Sequence, residues 1–221
     1  MRRKGEKMKR FLVCLMGIGC FVFCPAAAIV MAAPSMSGST GLVRIPTADV
    51  LRTGQASAGY YYWHDNGNGV LALGVAKEFE ISASAPWRNG NPQAWSTNAK
   101  LNIFQETLLY PAVAIGIEDI DGRERRSVYG VISKDLPYGL RIHFGAGTGR
   151  FDGLFGAVEK VLNPTSVKKQ GSGFPVTSLI VEMDGNKMNY GLRLRLVRGL
   201  RIDGGWMGQT EQMYMGITYT Y

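Results

Sequence analysis

The sequence predicts an all-β chain that closes into an antiparallel, up-and-down transmembrane β-barrel of about twelve strands, preceded by a small extended N-terminal segment. Three observations predict this fold. The first is apolar/polar alternation, sharpest near the C-terminus: Met188, Tyr190, Leu192, Leu194 and Leu196 share one face of a strand, opposite Asn189, Gly191, Arg193 and Arg195. An apolar-out, polar-in strand of about 9–11 residues is the repeating unit of a transmembrane barrel. The second is glycine, 29 residues in all, with many in strand interiors such as Gly74, Gly116, Gly130, Gly145, Gly147, Gly191 and Gly216. Interior glycine weakens an isolated strand yet suits the crowded inner wall of a narrow, tilted barrel. The third is aromatic placement near strand ends, at Tyr60 to Trp63, Trp87, Trp95, Tyr110, Tyr138, Trp206 and Tyr219 to Tyr221, as interfacial girdles require. Alternation alone fits a soluble sandwich as well; the other two observations favour the barrel.

In chain order, residues 1–32 read as a secretory signal peptide. Six of the 25 basic residues and one of the 17 acidic ones lie in the first ten positions. An apolar run from Phe11 to Cys24 follows, then small residues up to an expected cleavage after Ala32. The run is too short for a spanning helix, which needs about 20 apolar residues. All three cysteines (Cys14, Cys20, Cys24) fall in this leader, so the expected mature chain has no thiol chemistry. Outside the basic head the remaining charge is only +3, with no Lys/Arg cluster, which speaks against a nucleic-acid partner.

Residues 33–53 are Ser/Gly-rich, and Pro46 excludes a central strand there. They are expected to form an extended periplasmic segment, with three places open to it: a plug in the lumen, an arm toward a periplasmic partner, or a strap around the barrel base. Residues 54–221 form the barrel, with strands expected at 55–63, 69–76, 79–86, 95–104, 111–118, 126–134, 139–148, 153–161, 176–183, 187–196, 199–207 and 212–221. Turns rich in Asn, Asp and Gly separate them, at Asp65 to Gly69, Asn89-Gly90, Asp121-Gly122, Asp152-Gly153 and Asp184 to Asn186. Such turns supply the positive φ of tight hairpins, so the strands they join are antiparallel neighbours. An even strand number puts both ends of the chain on the periplasmic side. The long connection at 162–175 then faces the periplasm and is a candidate docking element.

The stretch Ser39-Thr-Gly-Leu-Val-Arg-Ile-Pro-Thr-Ala48 resembles the N-terminal signature of the YjbH family of outer-membrane β-barrel proteins linked to exopolysaccharide and capsule systems. Gly41, Leu42, Pro46, Thr47 and Ala48 carry that signature. Gly153-Leu-Phe-Gly-Ala-Val-Glu-Lys160, Val181-Glu-Met-Asp-Gly185 and Asn189-Tyr-Gly-Leu-Arg193 are similar to a recurring pattern of the same family. Members are commonly several times longer, so the chain resembles a short form. The resemblance implies a place in the cell outer membrane and a role in surface-polysaccharide production or secretion, with no catalytic residue.

On the inner wall, strand phase puts Lys100, Arg141, His143, Glu182, Arg193, Arg195, Arg201 and Asp203, with Glu118, toward the lumen. Two readings follow: a basic lumen that contacts acidic sugars, since guanidinium suits carboxylates, or arginines that pair with the acids and fill the barrel. Ile217, Tyr219 and Tyr221 lie on the outward face of the last strand and resemble an outer-membrane insertion signal. The expected partners are therefore outer-membrane lipid, the barrel-assembly machinery, an acidic polysaccharide and a periplasmic export partner, with no nucleic acid. The function expected is assistance to exopolysaccharide export or assembly; the alternatives are a general small-solute pore and a plugged structural or scaffolding barrel. Only two histidines exist, His64 and His143, and no nucleophile motif, metal-ligand spacing or phosphate-cradling loop accompanies them. No enzyme activity and no cofactor are expected.

Overall fold

Alternating sequence and short turns leave each strand one solution, pairing with its chain neighbours, and the computed structural model follows it. It describes residues 32–163 and 175–221; the expected leader at 1–32, apart from its last residue, and most of the 162–175 connection lie outside them. Thirteen strands occur among the described residues: β1 (Ala56–Trp63), β2 (Asn66–Ala76), β3 (Phe79–Arg88), β4 (Asn91–Pro92), β5 (Ser96–Phe104), β6 (Ala112–Glu118), β7 (Ser127–Leu136), β8 (Leu140–Gly147), β9 (Gly153–Val161), β10 (Val176–Asp184), β11 (Lys187–Val197), β12 (Leu200–Met207) and β13 (Gln212–Thr220). Each pairs antiparallel with its neighbour in the chain, except that β3 pairs with both the two-residue β4 and β5. The first and last strands then pair, from Ser57 opposite Thr220 to Tyr62 opposite Met215. The result is a closed barrel of twelve strands plus the short β4 in the β3–β5 loop. Closure removes the unpaired edge that an open sheet would expose.

The outer face is apolar. Leu71, Ile115, Val128, Phe144, Leu154, Leu179 and Ile217 all point outward and are exposed. Aromatic side chains gather at both rims. Tyr62, Trp87, Trp95 and Trp206 lie toward one end, and Tyr110, Tyr138, Tyr219 and Tyr221 toward the end where β1 begins and β13 finishes. The inner face is polar, with Glu80, Lys100, Glu118, Arg141, Glu182, Arg193, Arg201 and Asp203 all buried. This inversion of the usual soluble pattern is the polarity that the alternating strands predict.

Interior glycines make room for inward aromatic rings. A Cβ on Gly216 would lie 2.3 Å from the Tyr61 ring, and one on Gly145 would lie 2.3 Å from Phe155. Both glycines are direct cross-strand partners of the ring they accept. The first turn departs from expectation. It is His64-Asp65, with His64 at φ 47°, while Gly67 and Gly69 belong to β2. Gly67 is there for close approach, because a Cβ would sit 2.2 Å from the Tyr60 hydroxyl.

The N-terminal segment is neither extended nor outside the barrel. Residues 33–51 fold into the lumen as two successive tight reversals, joined by bridges between Pro34 and Thr40 and between Gly41 and Pro46. Met36, Leu42, Val43, Ile45 and Ala48 are buried against Tyr61, Tyr129, Phe155, Ile180 and Tyr214 of the wall. The expectation of an extended periplasmic segment is corrected for a physical reason. A twelve-stranded barrel is too wide for its own side chains to fill, and this segment supplies the missing apolar volume and hydrogen-bond partners.

Candidate functional site

The candidate site is the lumen and the segment that fills it. The segment offers mainly backbone groups, and the wall answers them with side chains. Glu80 accepts from Thr40 N–H at 2.9 Å and from Leu51 N–H at 3.0 Å, so one carboxylate clamps both arms. Glu182 accepts from Val43 N–H at 2.9 Å and from Arg44 N–H at 3.0 Å. Lys100 donates to the Thr40 carbonyl, to the Thr40 hydroxyl and to the Thr47 carbonyl. Asn68, Asn98 and Asn102 donate to the carbonyls of Met36, Ser37 and Ala48. A buried backbone group without a partner costs about as much as a lost hydrogen bond, and these amides and carboxylates supply the partners.

At the end where β1 begins and β13 finishes, Arg201 donates to the Pro34 carbonyl at 2.6 Å and to the Tyr61 hydroxyl at 2.8 Å. Arg141 pairs with Asp49 at 2.9 Å, with Glu106 at 3.2 Å and with Asp135 at 2.8 Å. Arg193 pairs with Asp203 at 2.8 Å and donates to the Leu42 carbonyl at 3.1 Å. Arg195 pairs with Glu159 at 3.2 Å.

At the opposite end Arg150, in a single 3-10 turn over Gly149–Phe151, reaches the tip of the second reversal, and its partner Glu118 reaches Ser37 at the tip of the first. Arg150 donates to the Arg44 carbonyl at 2.7 Å and pairs with Glu118 at 2.5 Å and Asp184 at 3.4 Å. Arg44 itself meets Asp184 at 3.2 Å, and the Ser37 hydroxyl donates to Glu118 at 2.9 Å. Burial opposes the charge on Arg150, but Glu118 and then Asp184 outweigh it and hold its pKa above the ordinary arginine value. Burial, reinforced by Arg150, pulls the pKa of Arg44 down against Asp184.

The inward residues expected from strand phase do face the lumen: Lys100, Arg141, His143, Glu182, Arg193, Arg195, Arg201 and Asp203. They do not form a free basic wall. Every cation among them is paired with an acid or a carbonyl, and Glu80, Glu118, Glu159, Glu182 and Asp203 balance the wall charge. Of the two readings of these residues, the pairings follow the one in which the arginines meet acids and fill the barrel, and the segment occupies groups that an anion would otherwise meet. The space beside it, lined by Gly41, Thr47, His143, Glu159, Arg193 and Arg195 among others, is about 10 Å³, the room of one water. His143 Nδ1 and the Ser133 hydroxyl share a hydrogen bond of 2.8 Å, and that hydroxyl accepts from Ala48 N–H at 2.9 Å. That hydroxyl is therefore engaged in holding the segment. His64 and Asp65 are both exposed and 3.6 Å apart.

Gly41, Leu42, Pro46, Thr47 and Ala48, the signature residues, form the centre of the filling segment. Gly41 sits where a Cβ would lie 2.3 Å from the Ile45 carbonyl oxygen, so only glycine permits the bridge to Pro46. Ile217 and Tyr219 face outward on β13, Tyr221 just beyond it is exposed, and the Tyr221 N–H donates to the Ala56 carbonyl at 2.8 Å to finish the barrel seam. Sequence reasoning missed Glu80, Asp49, Ser133 and Arg150. Glu80 in β3 was legible in principle, because it shares the inward phase of Ser82 and Ser84. Arg150 carried no signal, since it belongs to a turn.

Comparison with known proteins agrees with this architecture. Residues 34–179 match the model of the YjbH family, described as exopolysaccharide biosynthesis protein YbjH. Among solved structures a KdgM porin is similar, with a TM-score of 0.50 and 12% sequence identity, over 76% of this chain and 98% of the porin chain. That likeness concerns the barrel fold. No curated protein matches the sequence. The family match begins at the first residues of the filling segment and runs through eight strands of the barrel into the start of β10, and the chain belongs to the YjbH family of exopolysaccharide-related proteins.

Proposed function

We propose that this chain is a β-barrel of the cell outer membrane, made with a cleaved leader, that assists exopolysaccharide export or assembly and rests with its lumen filled. The observation that carries the reading is the inverted polarity of the wall, apolar outside and charged inside. A continuous apolar outer face far exceeds the few hundred Å² that soluble monomers usually expose; in lipid it is the solvent-matched face. Family membership supports the polymer class. The filled lumen favours a barrel that acts by contact, or by opening, over a permanently open pore. The proposed role is non-catalytic. Outer-membrane lipid, the barrel-assembly machinery, an acidic polysaccharide and a periplasmic export partner are the partners it calls for, the last at the end where β1 begins and β13 finishes.

Deleting the gene and restoring it from a plasmid tests this reading. The expected result is a fall in polysaccharide released to the medium, its recovery on complementation, and a membrane-purified protein whose first residue is Ala33. Unchanged polysaccharide would remove the polymer role, and fractionation with the inner membrane would remove the location.

A further inference from the structure

We infer that residues 33–51 are a gate, and that the barrel has a second, open state in which small hydrophilic solutes cross the lumen. The inference rests on the membrane-barrel reading above and not on the polymer. The first observation is the chemistry of the contact. The wall holds the segment largely through charged and amide side chains, among them Glu80, Lys100, Asn102, Glu182, Arg193 and Arg201. Buried ionic contacts are seldom better for stability than apolar ones of the same volume, so these contacts satisfy the segment's backbone without fixing it in place permanently. Water satisfies the same groups once the segment leaves. The apolar cluster around Ile45 and Tyr61 keeps the closed state dominant.

The second observation is the path. The segment enters beside Arg201 at Pro34 and leaves beside Arg141 at Asp49. Both contacts lie at the same end of the barrel, so it withdraws without threading the lumen. The third is the far-end latch. Arg150 holds the tip carbonyl of Arg44 while Glu118 and Asp184 hold Ser37 and Arg44, and both tips are partly open to solvent. One polar cluster therefore fastens the only parts of the gate visible from that side. With the segment out, the wall charges nearly balance, so the open state favours uncharged and weakly charged solutes over anions.

The test uses the leader-free protein, residues 33–221, in planar bilayers, together with the reactivity of Ala48→Cys toward a soluble maleimide. Residues 33–221 contain no other cysteine, and Ala48 is fully buried when the gate is closed. Arg150→Ala is expected to raise the frequency of openings and the labelling rate at position 48 together, each roughly tenfold. Oxidising an Ala48→Cys/Ser133→Cys pair in that background should silence the current, and reductant should restore it. If Arg150→Ala does not give a folded barrel, Arg44→Ala removes the gate's own side of the latch and is read by the same two assays. A folded, heat-modifiable variant with wild-type current and labelling overturns the gate, and so does current that persists with the disulfide closed. Neither result touches the polysaccharide phenotype, so failure of the gate is distinguishable from failure of the proposed function.

Discussion

Glu182 shows how much one wall residue contributes to the closed lumen. Its carboxylate accepts from two backbone N–H groups of the gate and from the Asn189 amide at 2.8 Å. Removing it leaves buried donors unsatisfied, at about 1–3 kcal/mol each. Glu182→Ala should therefore lower the temperature at which the barrel loses its heat-modifiable form, and Glu182→Gln, which keeps an acceptor oxygen, should lower it less. Gly41→Val belongs to the same scale. Its side chain would overlap the Ile45 carbonyl, so it should expel the gate, making position 48 reactive in a barrel that still assembles. Asp121 in the β6–β7 loop gives a pH prediction. The Thr97 hydroxyl and N–H hold its carboxyl below the ordinary aspartate range. A depressed carboxyl stabilises above its unfolded pKa and loses that contribution as pH falls through its folded pKa. The loop should stay docked through mildly acidic pH, and Thr97→Val should move its release upward, followed by the fluorescence of nearby Trp95.

Among the elements, β13 has the clearest assignment from sequence alone. Its outward row of Met213, Met215, Ile217 and Tyr219 and its inward row of Tyr214, Gly216 and Thr218 stand as the alternation requires. It also forms the seam with β1. Tyr221→Ala should reduce the heat-modifiable barrel recovered from membranes; normal recovery would count against an insertion role for the C-terminal aromatic residues. Where element boundaries differ from expectation, a specific contact is responsible. β2 begins at Asn66 because Gly67 and Gly69 pair with Tyr62 and Tyr60 instead of turning. Register shifts at Gly74/Ala76, Asn102/Phe104 and Arg195/Val197 come from residue insertions that alternation cannot place.

At the level of the whole molecule, the expected behaviour is a silent barrel. Wild-type protein should insert in a bilayer and pass little steady current. Arg193→Glu with Arg195→Glu should raise the frequency of openings, because Arg193 holds the Leu42 carbonyl and the new carboxylates would stand beside Asp203 and Glu159. In the Arg150→Ala background the same pair should shift the open state toward cations, measured as a reversal potential in a salt gradient. An unchanged reversal potential there would mean that the conducting path does not run past this stretch of wall.

Sequence by itself determined the barrel, its strand number, the direction each side chain faces and the antiparallel order. These follow from period-two alternation and turn chemistry, both local properties of the chain. It also marked Gly41 to Ala48 as a distinct segment and the inward charges as candidates. Only the tertiary structure decided what those charges do. The partners of Glu182, Val43 and Arg44, lie 139 and 138 positions away, and the Arg150 partner Arg44 lies 106 away. No local pattern encodes such pairings. They exist because closing twelve strands creates an interior too wide for the wall to fill, and the chain fills it with its own N-terminal segment.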